Sequence, residues 1–356
     1  LQAAITPFIG VLGIDDSTIE LAAKVAQQLG FPHNPPSATR LTRRKDLARA
    51  HLKNSNCAIP AHWLLDLDLP LAPQIQAVSF PCVLKPLALS ASRGVIRCDD
   101  ESALLSTCAR IEPMLSDTRD AFEKRHLLIE SYIDGVEIAY EGFLQQGKLT
   151  TLVIFDKPEP LTGPYFEETI YVTPSELPAE TQRQIEQQVS LACQAYGLIT
   201  GPIHAELRIN TSGAWILEVA ARTIGGDCAR SLDSGAEFNL ETLVISLATG
   251  RAYEIVAPAE ARGVMMIPTP QRGILRRVEG LSDAQTVRYI EKIEIYARPG
   301  NELIPLPEGN QYPGFIFARA QTAKEVINAL HAAHDKLRFI TVPVLNTRIG
   351  TTGSQS

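Results

Sequence analysis

The sequence IHAELRINTSGAWILEVAARTIGG occupies residues 203–226 and predicts a β-hairpin. Residues 203–209 alternate between apolar and polar side chains, which is the period of a strand with one buried face. Residues 210–213 (NTSG) have the composition of a turn. The apolar face is predicted to continue on the second strand with Trp215, Leu217 and Val219.

The hairpin predicts that two carboxylates face each other. If the turn centres on Ser212, Glu206 lies opposite Glu218, with Cβ atoms ~5 Å apart, and like charges at that separation repel each other. A hard divalent cation with oxygen ligands, such as Mg²⁺ carrying nucleotide phosphates, would relieve this repulsion. The alternative is an ordinary hairpin with two solvated glutamates, and a turn shifted by one residue would move Glu218 to the other face.

A second informative segment is residues 80–86 (FPCVLKP), an apolar run that predicts a buried strand with Lys85 near its end. A loop of mostly small residues follows, with hydroxyls at Ser90 and Ser92 and a glycine at Gly94. Backbone N–H groups of small residues can approach and bind phosphate closely. The loop matches neither the P-loop nor the dinucleotide-binding pattern, so a surface turn stays the alternative.

Residues 127–138 (LLIESYIDGVEI) predict two strands separated by the Asp134-Gly135 break. Glu130 and Glu137 lie on either side of this break. Acidic residues at a hinge between strands can bind a base and a ribose, and a plain hairpin is the alternative interpretation.

The order of these segments resembles the ATP-grasp superfamily. The matching segments run from RRKDLAR, which contains Lys45, through VLKP, the small-residue loop, LLIESYIDGVE and HAELRI to ILEVAARTIGG. The resemblance covers the chain from about residue 10 to about residue 345. Within the superfamily, the segments are most similar to carboxylate–amine ligases of the L-amino acid (dipeptide) ligase type, and biotin-carboxylase-type enzymes are more distant.

The resemblance implies how the nucleotide binds. Lys45 and Lys85 bind the ATP phosphates, and the loop with Ser90, Ser92 and Gly94 covers them. Adenine is held by the hinge glutamate and nearby backbone, and ribose by a later glutamate; these roles fall on Glu130, Ile133 and Glu137.

The resemblance also implies the chemistry. Glu206 and Glu218 bind Mg²⁺, with Mn²⁺ as the alternative ion, while Arg222 and Lys85 act on the transferred phosphoryl group. The implied reaction joins a carboxylate to an amine through an acyl phosphate and releases ADP and phosphate. His204, on the same hairpin face, is predicted to be structural, and a role in orienting substrate is the alternative.

Two features depart from the family pattern. The loop LALSASRG is poorer in glycine than is usual, which leaves its phosphate contacts open. Ala220 stands where many relatives have an asparagine that binds the metal, and dipeptide ligases also tend to have a small residue there.

The resemblance predicts a mixed α/β and α+β chain with an ATP-grasp fold. Residues 1–60 are assigned to a partial N-terminal pre-ATP-grasp (Rossmann-like) domain and residues 61–250 to the ATP-grasp domain. Residues 251–345 are assigned to a C-terminal α+β lid domain, and residues 346–356 to a polar tail.

Local patterns add further predictions. Phe8–Ile14 is predicted as a strand within an N-terminal domain that looks truncated, and Ser17 with Glu20 as the capping box of a helix that ends at Gly30. A basic helix is predicted over residues 43–53. Residues 156–178 predict a long irregular connection, either a functional lid or a linker. Its candidates to line a substrate pocket are Tyr165, Phe166, Glu167 and Glu168, and the alternative is that these side chains only pack the loop against the protein.

Composition limits the partners. The chain has 356 residues and a net charge of −7, so no basic surface indicates nucleic acid, and it contains no apolar run that would span a membrane. Its six cysteines include no C-x-x-C pair, which favours reduced, buried thiols in the cytoplasm. The expected partners are a small carboxylate and an amine, most simply amino acids, and a homodimer stays open.

Two other functions are carried as alternatives. One is a biotin-carboxylase-like or purine-pathway ATP-grasp enzyme, although no biotinyl module is visible in the sequence. The other is a nucleotide-binding regulatory subunit without turnover, which would not need the complete set of Lys85, Glu206, Glu218 and Arg222.

Overall fold

The computed structural model describes residues 7–233, 239–251, 253 and 260–344. The helices are α1 (Ile19–Leu29), α2 (Pro36–Arg43), α3 (Lys45–Leu52), α4 (Leu71–Gln74), α5 (Glu101–Ile111), α6 (Ala121–Arg125), α7 (Ala179–Tyr196), α8 (Leu240–Ala248), α9 (Leu281–Gln285) and α10 (Ala323–His334). The strands are β1 (His62–Asp66), β2 (Cys82–Pro86), β3 (Ile96–Cys98), β4 (His126–Ser131), β5 (Val136–Gln145), β6 (Lys148–Asp156), β7 (Ile170–Thr173), β8 (Gly201–Asn210), β9 (Gly213–Ala220), β10 (Ala261–Met266), β11 (Gly273–Glu279), β12 (Ile290–Ile295), β13 (Glu302–Leu303), β14 (Gly314–Ala320) and β15 (Arg338–Val342). None of these helices is long and apolar enough to cross a bilayer.

Eight strands form the central sheet, in the order β12-β14-β10-β7-β6-β5-β8-β9. All the pairings in this sheet are antiparallel. Strand β5 is buried along residues 137–144, which places it inside the fold. Strands β10, β12 and β14 belong to this sheet, so the chain after residue 250 extends the sheet that residues 136–220 begin. The domain boundaries at residues 60 and 250 remain predictions.

Helix α7 covers one face of the central sheet because its apolar residues recur every three or four positions. The buried residues of α7 are Ile185, Val189, Ala192, Cys193 and Tyr196. They pack with Ile203, Leu207 and Ile216 of the β8–β9 hairpin. The helix ends at Gly197, whose φ of 76° is left-handed, as the sequence predicts.

A smaller sheet has the order β1-β4-β2-β3 and is also antiparallel. Leu104, Cys108 and Ile111 of helix α5 pack against Leu84 and Ile129 of this sheet. Strand β2 lies between β3 and β4, which confirms the predicted buried strand near Lys85. A third sheet, β13-β11-β15, is formed near the C-terminal end of the described chain.

The β8–β9 hairpin places Glu206 opposite Glu218, as the sequence predicts. The turn, however, is not centred on Ser212, because Asn210 pairs with Gly213 and leaves a two-residue turn. If this pairing continued regularly along both strands, Glu206 would lie opposite Leu217. A register shift between the pairs of Glu206 and Leu207, which is a β-bulge, restores the Glu206–Glu218 pairing.

The two-residue turn also changes which side chains of β9 enter the core. Trp215 and Leu217, predicted on the apolar face, are only half-buried. The core positions are instead Ala214, Ile216 and Val219. The prediction was wrong for Trp215 and Leu217, because side chains alternate along a strand and a turn that is one residue shorter exchanges the two faces. It is confirmed for Val219, which lies beyond the bulge that restores the predicted register.

The predicted strand Phe8–Ile14 is wrong. Residues 7–14 have no strand pairing in the described chain, and Phe8, Ile9 and Ile14 are exposed. A strand needs a neighbour that satisfies its backbone groups, and no described strand runs beside this segment. Apart from residues 1–6, which are not described, the predicted N-terminal domain therefore contributes helices α1, α2 and α3 and no strand.

The predicted capping box of helix α1 is also wrong. The helix begins at Ile19, and its N-cap residue Thr18 makes no side-chain capping bond. Asp15 accepts hydrogen bonds from the N–H groups of Ser17 and Thr18 instead. An aspartate that bonds the backbone two residues ahead competes with a serine cap at this position. The predicted end of the helix at Gly30 is confirmed.

Most other predicted elements are present. The basic helix over residues 43–53 corresponds to α3, and Thr322 forms a capping box with Glu325 at the start of α10. The connection over residues 156–178 is less irregular than predicted, because it contains β7 between β6 and β10. The predicted polar tail, residues 346–356, lies outside the described residues.

Gly263 on β10 allows helix α10 to approach the sheet closely. A Cβ atom at this position would lie 2.6 Å from Cγ1 of Val326 and 3.0 Å from the carbonyl oxygen of Tyr171. We predict that Gly263→Ala lowers the free energy of unfolding by roughly 1–3 kcal/mol, the usual cost of overpacking, measured by urea denaturation. Val326→Ala removes the clashing methyl group, so the double variant should lose less stability than the sum of the single variants; simple additivity would contradict this packing.

Candidate active site

A cavity of about 380 Å³ lies between the two larger sheets, next to the loops around residues 89–95 and 222–226. Ten of the eleven predicted site residues line this cavity: Lys45, Lys85, Ser90, Ser92, Glu130, Ile133, Glu137, Glu206, Glu218 and Arg222. They come from α3, β2, β4, β5, β8 and β9 and from the loops between them. The fold therefore brings together residues that are up to 177 positions apart, from 45 to 222.

The eleventh residue, Gly94, does not line the cavity but shapes the loop beside it. Its φ is 71°, and its N–H donates a hydrogen bond to the carbonyl of Pro307 (3.0 Å). Ala91 and Ser92 also have left-handed φ values, 55° and 54°. Two residues other than glycine thus adopt left-handed conformations that favour glycine. These conformations cost free energy, which contacts with the surrounding structure must offset.

Lys85 and Glu130 form a buried ion pair on neighbouring strands of the smaller sheet. Lys85 Nζ lies 2.6 Å from Glu130 Oε2, and Arg49 Nε lies 2.5 Å from Glu130 Oε1. Burial alone would raise the pKa of Glu130, but Arg49 and Lys85 outweigh it and lower the pKa to about 2. Both oxygens of Glu130 are therefore engaged by cations, and the carboxylate fixes the position of the Lys85 ammonium group.

Arg49 links this ion pair to the hairpin. Its guanidinium group also donates to the carbonyl of Leu217 (2.6 Å), the residue next to Glu218 at the bulge. Sequence analysis assigned no role to Arg49, because a basic residue on a helix is usually solvated. The signal that would have distinguished it is its position four residues after Lys45, which puts both on one face of α3.

Lys45 bridges the small-residue loop and the hairpin. Its Nζ donates to the carbonyl of Leu89 (3.0 Å) and lies 3.5 Å from Glu218 Oε2. The Lys45 backbone N–H also donates to the carbonyl of Leu87. Lys45 is thus positioned at the cavity wall where the loop and the second predicted metal ligand meet.

Glu206 and Glu218 are the paired carboxylates of the hairpin, and both line the cavity. The exposed fraction of the side chain is 25% for Glu206 and 28% for Glu218, so a ligand in the cavity can reach both. Each carboxylate has a lysine nearby. Lys157 Nζ lies 3.4 Å from Glu206 Oε1, and Lys45 Nζ lies 3.5 Å from Glu218 Oε2. Partly exposed carboxylate oxygens on opposite strands are a donor set that fits Mg²⁺ or Mn²⁺.

Lys157 lies at the centre of an acidic cluster that the sequence analysis missed. Its Nζ is 2.9 Å from Glu137 Oε1 and also contacts Glu168 and Glu206. Oxygens of these three glutamates lie within 4.8 Å of one another. Burial would lower the pKa of Lys157, but the glutamates raise it well above its ordinary value, so Lys157 stays charged.

Of the four candidates in residues 156–178, Phe166 and Glu168 line the cavity, whereas Tyr165 and Glu167 do not. Burial raises the pKa of Glu168 to about 7, Lys157 opposes this rise, and Glu206 adds to it. A signal for Lys157 was present in the sequence: like Lys85, it follows an apolar strand and precedes a proline.

Arg208 organises the hinge side of the cavity. Its Nε lies 2.9 Å from Glu137 Oε2, and its Nη1 donates to the carbonyl of Ile133 (2.8 Å). Its guanidinium carbon lies 4.9 Å from the ring centroid of Tyr132 and 5.3 Å from that of Phe166. Arg208 therefore holds the hinge backbone, Glu137 and an aromatic wall in one arrangement.

Arg222 closes the end of the cavity beside the hairpin. Its Nε lies 2.8 Å from Asp16 Oδ1, and its Nη1 donates to the carbonyl of Thr223 (3.0 Å). Asp15 and Asp16 both line the cavity as well.

His204 is buried on the polar face of β8, where the sequence predicted a structural histidine. Its Nδ1 lies 2.5 Å from Glu141 Oε1, and its Nε2 faces Glu206 Oε1 at 3.8 Å. Burial alone would lower the pKa of His204, but Glu141 and Glu206 outweigh it and raise the pKa to about 9. Glu141, which no sequence pattern singled out, also accepts a hydrogen bond from the N–H of Ile224 (3.0 Å).

The six cysteines are all free and buried. This confirms the prediction of buried thiols without disulfides.

We predict that Glu130 makes stability depend on pH. The folded pKa of about 2 lies below the ordinary value of 4.5, so its contribution is complete above about pH 4.5 and is lost as the pH falls toward 2. The loss should approach about 3 kcal/mol in urea denaturation. Glu130→Gln should flatten this part of the profile, while Glu180→Gln on the exposed start of α7 should not; equal slopes in all three proteins would contradict the ion pair.

Comparison with known proteins identifies the domains. Residues 78–231 match the model of the ATP-grasp domain, and residues 265–342 match the model of the L-amino acid ligase C-terminal domain 2. The crystal structure of L-amino acid ligase from Bacillus licheniformis superposes with a TM-score of 0.79 at 26% identity, over 96% of this chain and 82% of that chain.

Curated relatives are longer than the matching part of this chain. Carnosine synthase 1 of Gallus gallus is 28% identical over 224 residues, which are 59% of this chain and 24% of that protein. Alanine–anticapsin ligase of Bacillus subtilis is 26% identical over 219 residues, 57% of this chain and 46% of that protein. The match therefore spans about a quarter of the first relative and less than half of the second.

The two matched domains contain most of the residues that line the cavity and most of the strands that extend its sheet. The first contains Lys85, Glu130, the β8–β9 hairpin and Arg222, and the second contains the last two residues of β10 and all of β12 and β14. The chain therefore contains an ATP-grasp domain and an L-amino acid ligase C-terminal domain 2, and it resembles L-amino acid ligase over nearly its whole length.

Proposed function

We propose that this protein is an ATP-dependent carboxylate–amine ligase that forms an amide or peptide bond and releases ADP and phosphate. The observation that carries the proposal is the convergence of Lys45, Lys85, Glu206, Glu218 and Arg222 on one cavity. Three cations suit the phosphates of ATP, and two opposed carboxylates suit the metal that accompanies them. A site that only binds nucleotide would not require Arg222 beside the metal ligands.

The residues of the hairpin fit a divalent cation. Glu206 and Glu218 would hold it with carboxylate oxygens, the ligands that Mg²⁺ prefers, and Mn²⁺ is the alternative ion. A bound Mg²⁺ would offset the negative charge of the phosphates during transfer. Ala220 offers no side-chain ligand, so water or substrate is proposed to complete the coordination.

The chain's own residues would position the phosphates. Lys85 is held by Glu130 at the floor of the cavity, and Lys45 is held by the Leu89 carbonyl at the edge of the loop. Ser90 and Ser92 lie on the loop that covers the same space. These fixed charges act without reorganising during the reaction, which is how electrostatic stabilisation is most effective.

The nucleotide base and ribose are assigned to the hinge. Ile133 and the aromatic wall of Tyr132 and Phe166 line the cavity there. The carbonyl of Ile133 and the carboxylate of Glu130 are already engaged by arginine and lysine groups. We therefore assign Glu130 to positioning Lys85. Lys157 and Arg208 engage both oxygens of Glu137, so its assignment to the ribose rests on the family resemblance alone.

In the proposed reaction, a carboxylate oxygen attacks the γ-phosphorus of ATP, and the bond to the bridging oxygen of ADP breaks. The resulting acyl phosphate is then attacked by the amine nitrogen, the carbon–oxygen bond to phosphate breaks, and the amine loses a proton. Arg222 faces this region and can bind the transferred phosphoryl group with two parallel hydrogen bonds. Binding both substrates in one cavity supplies much of the rate by proximity.

Amino acids are the proposed carboxylate and amine. The names of two relatives, L-amino acid ligase and alanine–anticapsin ligase, indicate amino acid substrates for those proteins. In this chain the acidic cluster of Glu137, Glu168 and Glu206 already holds the ammonium group of Lys157, so the proposal of amino acids rests on these relatives.

One experiment tests the function directly. The protein is incubated with ATP, Mg²⁺ and pairs of amino acids, and phosphate release and product mass are measured together. Hydroxylamine added in place of the amine should trap an acyl phosphate as a hydroxamate. Phosphate release that depends on bicarbonate would indicate a carboxylase-type enzyme, and nucleotide binding without any turnover would indicate a regulatory protein; either result would reject the proposal.

We predict that Glu218→Gln abolishes phosphate release while the protein stays folded. The change removes one metal-binding charge and also relieves the repulsion with Glu206, so the thermal midpoint without Mg²⁺ should stay equal or rise. Glu180→Gln, an exposed residue on α7, is the matched control and should keep normal turnover. Normal turnover in Glu218→Gln would refute the metal assignment.

We predict that Arg222→Lys lowers the rate of catalysis by about tenfold or more, a loss of ~1.4 kcal/mol or more in transition-state stabilisation. Lysine keeps the charge but loses the two parallel hydrogen bonds of the guanidinium group. The ATP dissociation constant, measured on the same variant, should change less than the rate. Arg183→Lys on exposed α7 is the control, and equal losses in rate and ATP binding would show that Arg222 holds only ground-state nucleotide.

A further inference from the structure

Glu141 is a buried carboxylate that lies behind the cavity and does not line it. It sits on β5 directly opposite His204 on β8, and only 1% of its side chain is exposed. An ionised carboxylate in such a place is costly unless hydrogen bonds and charges compensate it. Its role in the fold therefore depends on what its two oxygens hold.

One oxygen of Glu141 binds His204, the residue that lies beside the proposed metal ligand Glu206. Oε1 accepts the Nδ1 proton of His204 and so sets the ring orientation, which turns Nε2 toward Glu206. Glu206 is thereby placed between His204 on one side and Lys157 on the other. A group that orients a residue next to a metal ligand controls where that ligand's oxygens point.

The other oxygen of Glu141 binds the backbone of the segment that follows Arg222. Oε2 accepts a hydrogen bond from the backbone N–H of Ile224, two residues after Arg222. The following Gly225 and Gly226 line the cavity, and neither has a side chain that would fix the segment. The Glu141 hydrogen bond is thus an anchor for the backbone that carries Arg222.

We propose that Glu141 is a positioning residue that fixes the metal ligand Glu206 and the Arg222 segment relative to each other. This proposal rests on the proposed function for its effect on turnover, but its effect on the metal site is independent of any substrate. Both contacts originate in one rigid carboxylate on the inner strand β5, so a change at Glu141 disturbs both sides of phosphoryl transfer together.

The test compares Glu141→Leu, which removes both hydrogen bonds at similar volume, with Glu141→Gln, which keeps an acceptor and a donor. Tyr140→Phe is the matched control, because Tyr140 is the neighbouring buried residue on β5 and loses only a hydrogen bond to Thr151. For each protein, the thermal midpoint, the turnover number and the KM for ATP are measured. Mn²⁺ affinity is measured by electron paramagnetic resonance without amino acid substrates.

If Glu141 positions the site, Glu141→Leu should weaken Mn²⁺ binding and lower turnover by about tenfold or more each, with Glu141→Gln intermediate at about threefold or more. The KM for ATP should change much less than turnover, since the nucleotide contacts lie elsewhere in the cavity. Tyr140→Phe should lose stability without either effect. A folded Glu141→Leu with Mn²⁺ affinity and turnover like those of Tyr140→Phe would overturn the proposal.

Two further outcomes are decisive. If Glu141→Leu does not fold, Glu141→Gln decides, and Mn²⁺ affinity equal to the wild type would overturn the proposal. If the wild-type protein binds Mn²⁺ but joins no amino acids, the proposed function fails, while Glu141 is still judged by the Mn²⁺ affinities of its variants.

Discussion

The pairing of Glu206 with Glu218 across the β8–β9 hairpin is the constraint around which the rest of the site is arranged. Both carboxylates face the cavity. Lysines from two other segments lie beside them, Lys157 after β6 and Lys45 at the start of α3. These lysines compensate the two negative charges, and the carboxylate oxygens stay partly exposed, where a cation that accompanies nucleotide phosphates can reach them.

The same principle recurs at each wall of the cavity, because every functional charge has a partner that fixes its position. Glu130 holds Lys85, Arg208 holds Glu137, and Asp16 holds Arg222. These pairs add little net stability, since burying charges costs about as much as their attraction returns. Their effect is to restrict where each charged group can lie, which is what a site for phosphoryl transfer requires.

The residues that sequence analysis missed share a physical property. Lys157, Arg208 and Glu141 contact groups that are 11 to 83 residues away in the chain, and local patterns carry no information about such contacts. Each looks ordinary by itself: a lysine after a strand, an arginine on the polar side of a strand, and a glutamate within an apolar strand. Only the pairing of β5 with β8, and of β5 with β6, brings them to their partners.

The sequence by itself determined the hairpin, the buried strand near Lys85 and the break between β4 and β5. These follow from alternation, turn composition and the order of segments, all of which are local properties of the chain. The tertiary structure alone decided the bulge that keeps Glu206 opposite Glu218, the faces of β9 and the partners of every charge. The physical reason is that a bulge depends on the strand beside it, and the position of a buried charge depends on which opposite charge the fold brings near it.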